Sequence, residues 1–221
     1  MHIPDGVIGA TTAAGFGAVA VGAFGVAARR TRDSLSDRHV PLAALTAAFV
    51  FAAQMVNFPL IAGMSGHLLG GVLAAVLVGP AAGFVVLTVV LIVQSLLFAD
   101  GGLTALGLNI VNMGLIGVVG GYAVFRLLLT ATPRRFRNIP LAAGVAAFLA
   151  VPAAALGFVA EFAIGGTADV SLGAVLTAML GTHLLIGIGE GVITGFVVAG
   201  VVASRRDLVL GAPERLTAAK V

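Results

Sequence analysis

The run Leu68-Leu69-Gly70-Gly71-Val72-Leu73-Ala74-Ala75-Val76-Leu77-Val78-Gly79, closed by Pro80, decides how often this chain crosses its apolar surroundings. It is uniformly apolar, yet shorter than the ~20 residues a full transmembrane helix needs. Gly79-Pro80 breaks it from the next apolar run. Two readings stand: a short or tilted span, or one arm of a re-entrant pair. Longer apolar runs flank it, at about Val7 to Ala28, Val40 to Phe58, Ala81 to Ala99, Thr104 to Leu129, Pro140 to Ile164 and Ser171 to Ser204. With the short run counted, there are seven segments.

Composition places these segments in a bilayer. Of 221 residues, 60% are hydrophobic and 10% charged, and the mean hydropathy is +1.15, too apolar for a chain that hides its core in water. Thirty-one glycines suit helices whose backbones approach closely. The expected fold is an all-α integral membrane protein, a multi-pass bundle of about seven transmembrane helices in the cell membrane. It forms one domain over residues 1–204, with a short tail over 205–221. The absence of cysteine excludes disulfides and thiolate metal sites.

Charge decides between the two readings of the short run. The basic residues are Arg29, Arg30, Arg32 and Arg38, then Arg126, Arg134, Arg135 and Arg137, then Arg205, Arg206, Arg215 and Lys220, which is all twelve. If the short run crosses, every one falls on one side, and the positive-inside rule makes that side the cytoplasm. The N-terminus is then outside and the C-terminus cytoplasmic. The basic pI of 10.6 thus reflects topology, and no nucleic-acid partner is expected. On the outer side lie Asp5, Asp100, Glu161 and Asp169 without a lysine or arginine, a field that draws cations.

A polar, turn-forming hexapeptide, Met1-His2-Ile3-Pro4-Asp5-Gly6, opens this greasy chain. The α-amine of Met1, the backbone nitrogen of His2 and its imidazole can wrap one divalent ion in fused chelate rings. His2 is bulky, so Met1 is expected to be retained with its amine free. A fourth nitrogen would close the square that Ni(II) and Cu(II) prefer. His67, in Gly63-Met64-Ser65-Gly66-His67, lies on the same outer face and is the natural candidate; the plainer alternative is a histidine capping a helix at the interface. Ser65 can cap the helix that His67 opens; Gln94, Asn109 and Asn112 are polar residues in the outer halves of later segments, and all four can orient the ligand loop or simply bond between helices. His183 and Glu190 lie seven residues apart on one helix face. Glu190 can pair with His183, meet a partner or relay opening of the site. No GxxxxGK[ST] loop and no HExxH pair is present, so neither an ATPase nor a zincin is supported, and no enzyme activity is expected.

Four stretches carry a resemblance: Met1 to Gly6; Ser65-Gly66-His67-Leu68-Leu69-Gly70-Gly71; Leu97-Phe98-Ala99-Asp100-Gly101-Gly102-Leu103; and Gly181-Thr182-His183-Leu184-Leu185-Ile186-Gly187. The chain resembles the substrate-binding membrane component of nickel/cobalt energy-coupling factor transporters, the CbiM/NikM type, from residue 1 to about residue 200. The resemblance implies Ni(2+) or Co(2+) as the transported substrate, held by the Met1 amine, both nitrogens of His2 and the His67 side chain; His183 is a further candidate for a supporting role. It also implies two cytoplasmic ATPases, a transmembrane coupling subunit and a small accessory membrane subunit. The competing class is a stand-alone secondary transporter or channel with His183 and Glu190 as a proton relay.

Overall fold

The structure, a computed structural model, describes residues 1–60, 63–132 and 136–212. Its helices are α1 (Ala10–Ser34), α2 (Val40–Gln54), α3 (Gly71–Val78), α4 (Pro80–Leu97), α5 (Leu106–Ile110), α6 (Gly121–Ala131), α7 (Asn138–Gly165) and α8 (Leu172–Ser204). A π-helical stretch, Val111–Gly120, joins α5 to α6, so the eight pieces make seven rods. Among the described residues, α1, α4, the α5–α6 rod, α7 and α8 are long and apolar enough to cross a membrane. The protein is an all-helical, multi-pass membrane protein. Two short strands, β1 (Phe58–Pro59) and β2 (Ser65–Gly66), pair antiparallel between α2 and α3.

The short run resolves into a half-helix. His67 to Gly70 descend into the bundle without helical structure, and α3 then covers the rest with eight residues that are all buried. Gly70 (φ +72°) and Gly79 (φ +86°) bracket it, in the left-handed region where a Cβ is penalised. Pro80 comes next, at the first position of α4, where a missing N–H costs nothing. The last carbonyls of α3, which its own ladder cannot satisfy, accept hydrogen bonds from the segment after α8: Leu210 N donates to Leu77 O (3.1 Å) and Gly211 N to Val76 O (2.9 Å). The run therefore reaches the end of the bundle opposite residues 1–9.

That end is the basic one. Arg30 and Arg38 line one recess with Val78, Gly79, Pro80 and Leu210. Arg126 donates to the Tyr122 hydroxyl, which itself donates to Gly211 O. Arg134, Arg135, Arg215, Lys220 and the part of the expected tail beyond residue 212 lie outside the described residues.

Helix bounds depart from expectation at two places for clear reasons. α1 continues past Ala28 through the arginines to Ser34, because arginine is a good helix former and a basic last turn complements the helix dipole. α2 stops at Gln54, short of Phe58, because Phe58 and Pro59 pair with Gly66 and Ser65 instead.

Glycine lets the rods touch backbone to backbone. A Cβ on Gly107 would lie 2.4 Å from Gly17 Cα, one on Gly83 2.9 Å from Ala75 N, and one on Gly144 2.7 Å from Gly191 O. The Gly107 contact clamps α1 onto α5, next to the polar loop. Gly107→Val is expected to lower the thermal unfolding midpoint in detergent, with a cost of about 1–3 kcal/mol for overpacking. Gly15→Ala, which meets nothing within 4 Å, is expected not to lower the midpoint in the same assay, since alanine is the better helix former.

Candidate metal centre

Residues 1–9 are the polar surprise of this fold: they are folded into the end of the bundle. Met1, His2 and Ile3 are buried, at 1%, 4% and 1% exposure. A segment so enclosed must have its backbone groups bonded, and several elements supply the partners. Asn109 of α5 grips the Ile3 peptide from both sides, its Oδ1 accepting from Ile3 N (2.9 Å) and its Nδ2 donating to Ile3 O (3.3 Å). Gly102 N also donates to Ile3 O (2.9 Å). Asp5 Oδ1 accepts from Thr104 N (2.7 Å) and Thr104 Oγ1 (2.5 Å). Thr167 N donates to Val7 O (2.9 Å), Thr167 Oγ1 to Gly6 O (2.7 Å), and Gly9 N to Gly165 O (2.8 Å). The Thr104 hydroxyl, with the nearby backbone amides, holds the Asp5 carboxyl below its usual pKa.

The loop from Ala99 to Gly102 fits this grip closely. Gly101, at φ +88°, has no room for a side chain: a Cβ would sit 3.0 Å from His2 Nδ1. A Cβ on Gly102 would strike Asp5 N at 2.3 Å. Asp100 brings Oδ2 to 3.4 Å from His2 Nε2 and accepts from Asn57 Nδ2 (2.8 Å).

Two imidazoles meet beneath. His2 and His67 stack with ring centroids 4.4 Å apart and planes 27° apart. His67 is wholly buried, and its Nδ1 lies 2.7 Å from Leu68 O. A carbonyl only accepts, so Nδ1 carries the proton and Nε2 keeps its lone pair. Burial lowers both histidines from the ordinary 6.5 to about 4, so both rings are neutral at physiological pH. Neutral imidazoles with free lone pairs are metal ligands. Among the described residues, no three His, Cys, Asp or Glu side chains form a metal cluster; a site here would need backbone nitrogens.

The other sequence candidates divide. Ser65 reaches the loop: His2 N approaches its Oγ at 3.4 Å, and Ser65 N approaches His2 O at 3.4 Å. Gln94 is buried, and its backbone carbonyl accepts from Asp100 N (3.1 Å), which ties α4 to the Asp100 loop. Asn112 turns elsewhere, donating to Glu161 Oε2 (2.7 Å). Glu161, expected on the acidic outer face, is instead buried within α7 and adds nothing to a surface field. His183 is buried in α8 with Nδ1 against Met179 O (2.7 Å). Glu190, also of α8, accepts from Leu69 N and from Gly70 N (2.8 Å for the latter). Sequence reasoning singled out both residues of α8 without fixing a partner for either, and it missed Thr104, Thr167, Asn57 and Gln54 entirely. Their signal is spatial, since each contact joins residues distant in the chain.

A helical membrane protein that draws its own N-terminus into a pocket of neutral imidazoles is the class that fold and site define. Residues 2–208 match the family described as the cobalt uptake substrate-specific transmembrane region, CbiM, and the chain belongs to that family. It is 38% identical, over its whole length and 72% of the relative's, to a provisionally named fused nickel transport protein, NikMN, of Archaeoglobus fulgidus. It is 37% identical over 68% of its length to the cobalt transport protein CbiM of Geobacter sulfurreducens, of which it spans 42%. A crystal structure of a truncated transition metal transporter superposes with a TM-score of 0.85 at 35% identity, covering 92% of this chain and 99% of that one.

Asn109→Ala is expected to leave Ile3 N without its partner, Ile3 O keeping its bond from Gly102 N, at a local cost of about 1–3 kcal/mol. Faster hydrogen exchange at residues 2–6, with unchanged exchange in α7, is the outcome to look for. Because the unfolded rings take up protons near 6.5 and the folded ones near 4, the unfolded state binds more protons between those values. Stability of the metal-free protein should therefore fall as pH drops from about 6.5 to about 4, measured as thermal midpoint against pH.

Proposed function

We propose that this protein is the substrate-specific membrane component of an energy-coupling factor transporter that imports Ni(2+) or Co(2+). One observation carries the reading: the buried, neutral pair of His2 and His67, stacked 4.4 Å apart beside the buried Met1. In this reading the ion binds the Met1 amine, the deprotonated His2 amide, His2 Nδ1 and His67 Nε2. A chelate ring through its own backbone nitrogen can use only the nearer ring atom, Nδ1, which leaves His2 Nε2–H facing Asp100. That is the carboxylate–histidine arrangement that orients metal ligands. Ligation requires the His2 amide to give up its long contact with Ser65 Oγ, a weak bond at 3.4 Å. Four nitrogens in a plane favour nickel over cobalt, and the nickel and cobalt named for the two relatives make these the expected cargo.

Seven crossings of the cell membrane, with the N-terminus outside, are inferred from the alternating rods and from the basic residues collected at the end opposite the loop. The ion is then captured from outside and released inward. Energy for release is assigned to two cytoplasmic ATPases acting through a transmembrane coupling subunit, with a small accessory membrane subunit. A proton relay between His183 and Glu190 draws no support from their contacts. Each is engaged with a different part of the backbone.

One residue added before Met1 keeps every side chain and displaces only the amine. Stoichiometric nickel binding by the native protein should weaken by roughly 100-fold or more, since even an indirect partner of a ligand costs 10–100-fold. Equal affinity of the two forms in a competition titration would refute the amine as a ligand. Affinity should also fall roughly ten- to a hundredfold per pH unit below ~7.7, because one or both of the amine and amide protons must leave and the amine ordinarily titrates there.

A further inference from the structure

The metal chelate leaves the buried carboxyl of Glu190 without a task. Glu190 lies in the middle of α8, 3% exposed, in a region where a carboxylate is costly to keep. Its two oxygens accept from two consecutive backbone amides, Leu69 N and Gly70 N. These peptides lie just after His67, and the same turn is held from the far side by Gln54 of α2, whose Nε2 donates to Leu69 O (2.7 Å). Leu68 O, between them, receives the His67 Nδ1 proton. The ring of His67 is thus aimed by a carbonyl whose own peptide is fixed from α8 and whose next peptide is fixed from α2.

The geometry of α8 extends the connection. A Cβ on Gly66, the residue before His67, would lie 2.9 Å from Ile186 Cδ1 and 3.3 Å from Thr182 Cγ2, so α8 presses on both sides of the ligand. Beyond Ser204 the same chain holds the other end of α3, through Leu210 N and Gly211 N. Gly211 comes so close to α3 that a Cβ would meet Ala75 O at 2.1 Å. α3 is tied to α8 at its N-terminal end by Glu190 and at its C-terminal end by the tail.

We propose that Glu190 is a positioning residue for the metal: through the Leu69 and Gly70 amides it holds His67 Nε2 in the ligand plane. Metal affinity is thereby set by the placement of α8 relative to the N-terminal loop. A shift of α8 at its arginine-bearing end is transmitted along α3 to the fourth ligand, while the three nitrogens of Met1 and His2 stay with Asn109 and the Asp100 loop. Loss of one nitrogen from a four-nitrogen site is a step toward release. The proposal rests on the reading of His67 as a ligand.

The test is a double-mutant cycle on the full-length protein with its native N-terminus, using nickel alone as probe. Glu190→Gln preserves shape but turns one amide N–H to face an NH2 group, so the turn after His67 must shift. Its nickel affinity is expected to fall 10- to 100-fold, the range for groups that orient metal ligands. In a His67→Ala background the same change is expected to have no further effect, because Glu190 acts only through His67. An unchanged affinity in Glu190→Gln, or an equal loss with and without His67, overturns the proposal. If Glu190→Gln does not fold, Glu190→Asp, which keeps the charge and shortens its reach, enters the same cycle with the same criteria. The protein extended before Met1 serves as the reference: if the extension leaves nickel binding intact, the chelate itself is wrong, whatever Glu190 does.

Discussion

The structure depends on a polar segment being held inside the end of an apolar bundle. An extended stretch of backbone cannot remain buried unless each N–H and C=O has a partner. Residues 2–9 obtain those partners from α5, from the Asp100 loop and from the turn after α7, and chiefly from Asn109, Gly102 and Thr167. The double grip of Asn109 on Ile3 substitutes for the neighbouring strand that an extended segment would otherwise pair with. Everything at the site depends on where that grip places His2.

A second constraint acts on His67. Its loop leaves the hairpin, drops into the bundle and becomes α3, so its backbone too crosses a buried region without helical bonds. Glu190 and Gln54 satisfy it from two different helices, and the resulting carbonyl position selects one tautomer of the ring. The two histidines therefore meet because two non-helical segments, 65 residues apart in sequence, are each pinned to the helices around them. Glycine makes both descents possible, since Gly101, Gly102 and Gly70 stand where any side chain would collide or where φ is positive.

The sequence made much of the architecture legible. Apolar runs located all seven rods, because burial in lipid demands continuous hydrophobicity, and clustered arginines indicated which rod ends lie together. The half-helix was harder to read: Leu68 to Gly79 announced that it was too short, but its first residues enter as extended chain with their backbone groups bonded by Gln54 and by Glu190, 120 residues from Gly70. Ends of α1 and α2 were misread for the same kind of reason, since a solvated arginine continues a helix while pairing of Phe58 and Pro59 stops one.

Within the site, His2 and His67 were visible as residues whose chemistry is specific and whose sidedness came from counting segments. By itself the sequence determined a many-helix membrane protein with one histidine beside its N-terminal amine and a second histidine on the same face, because hydropathy, charge and side-chain chemistry are properties of the residues themselves. Only the tertiary structure decided that the rings stack, that Asn109 faces Ile3 while Asn112 faces Glu161, and that Glu190 serves the backbone beside His67. Those pairings depend on the rotation and depth of each helix, which glycine contacts and buried hydrogen bonds set jointly and no local pattern encodes.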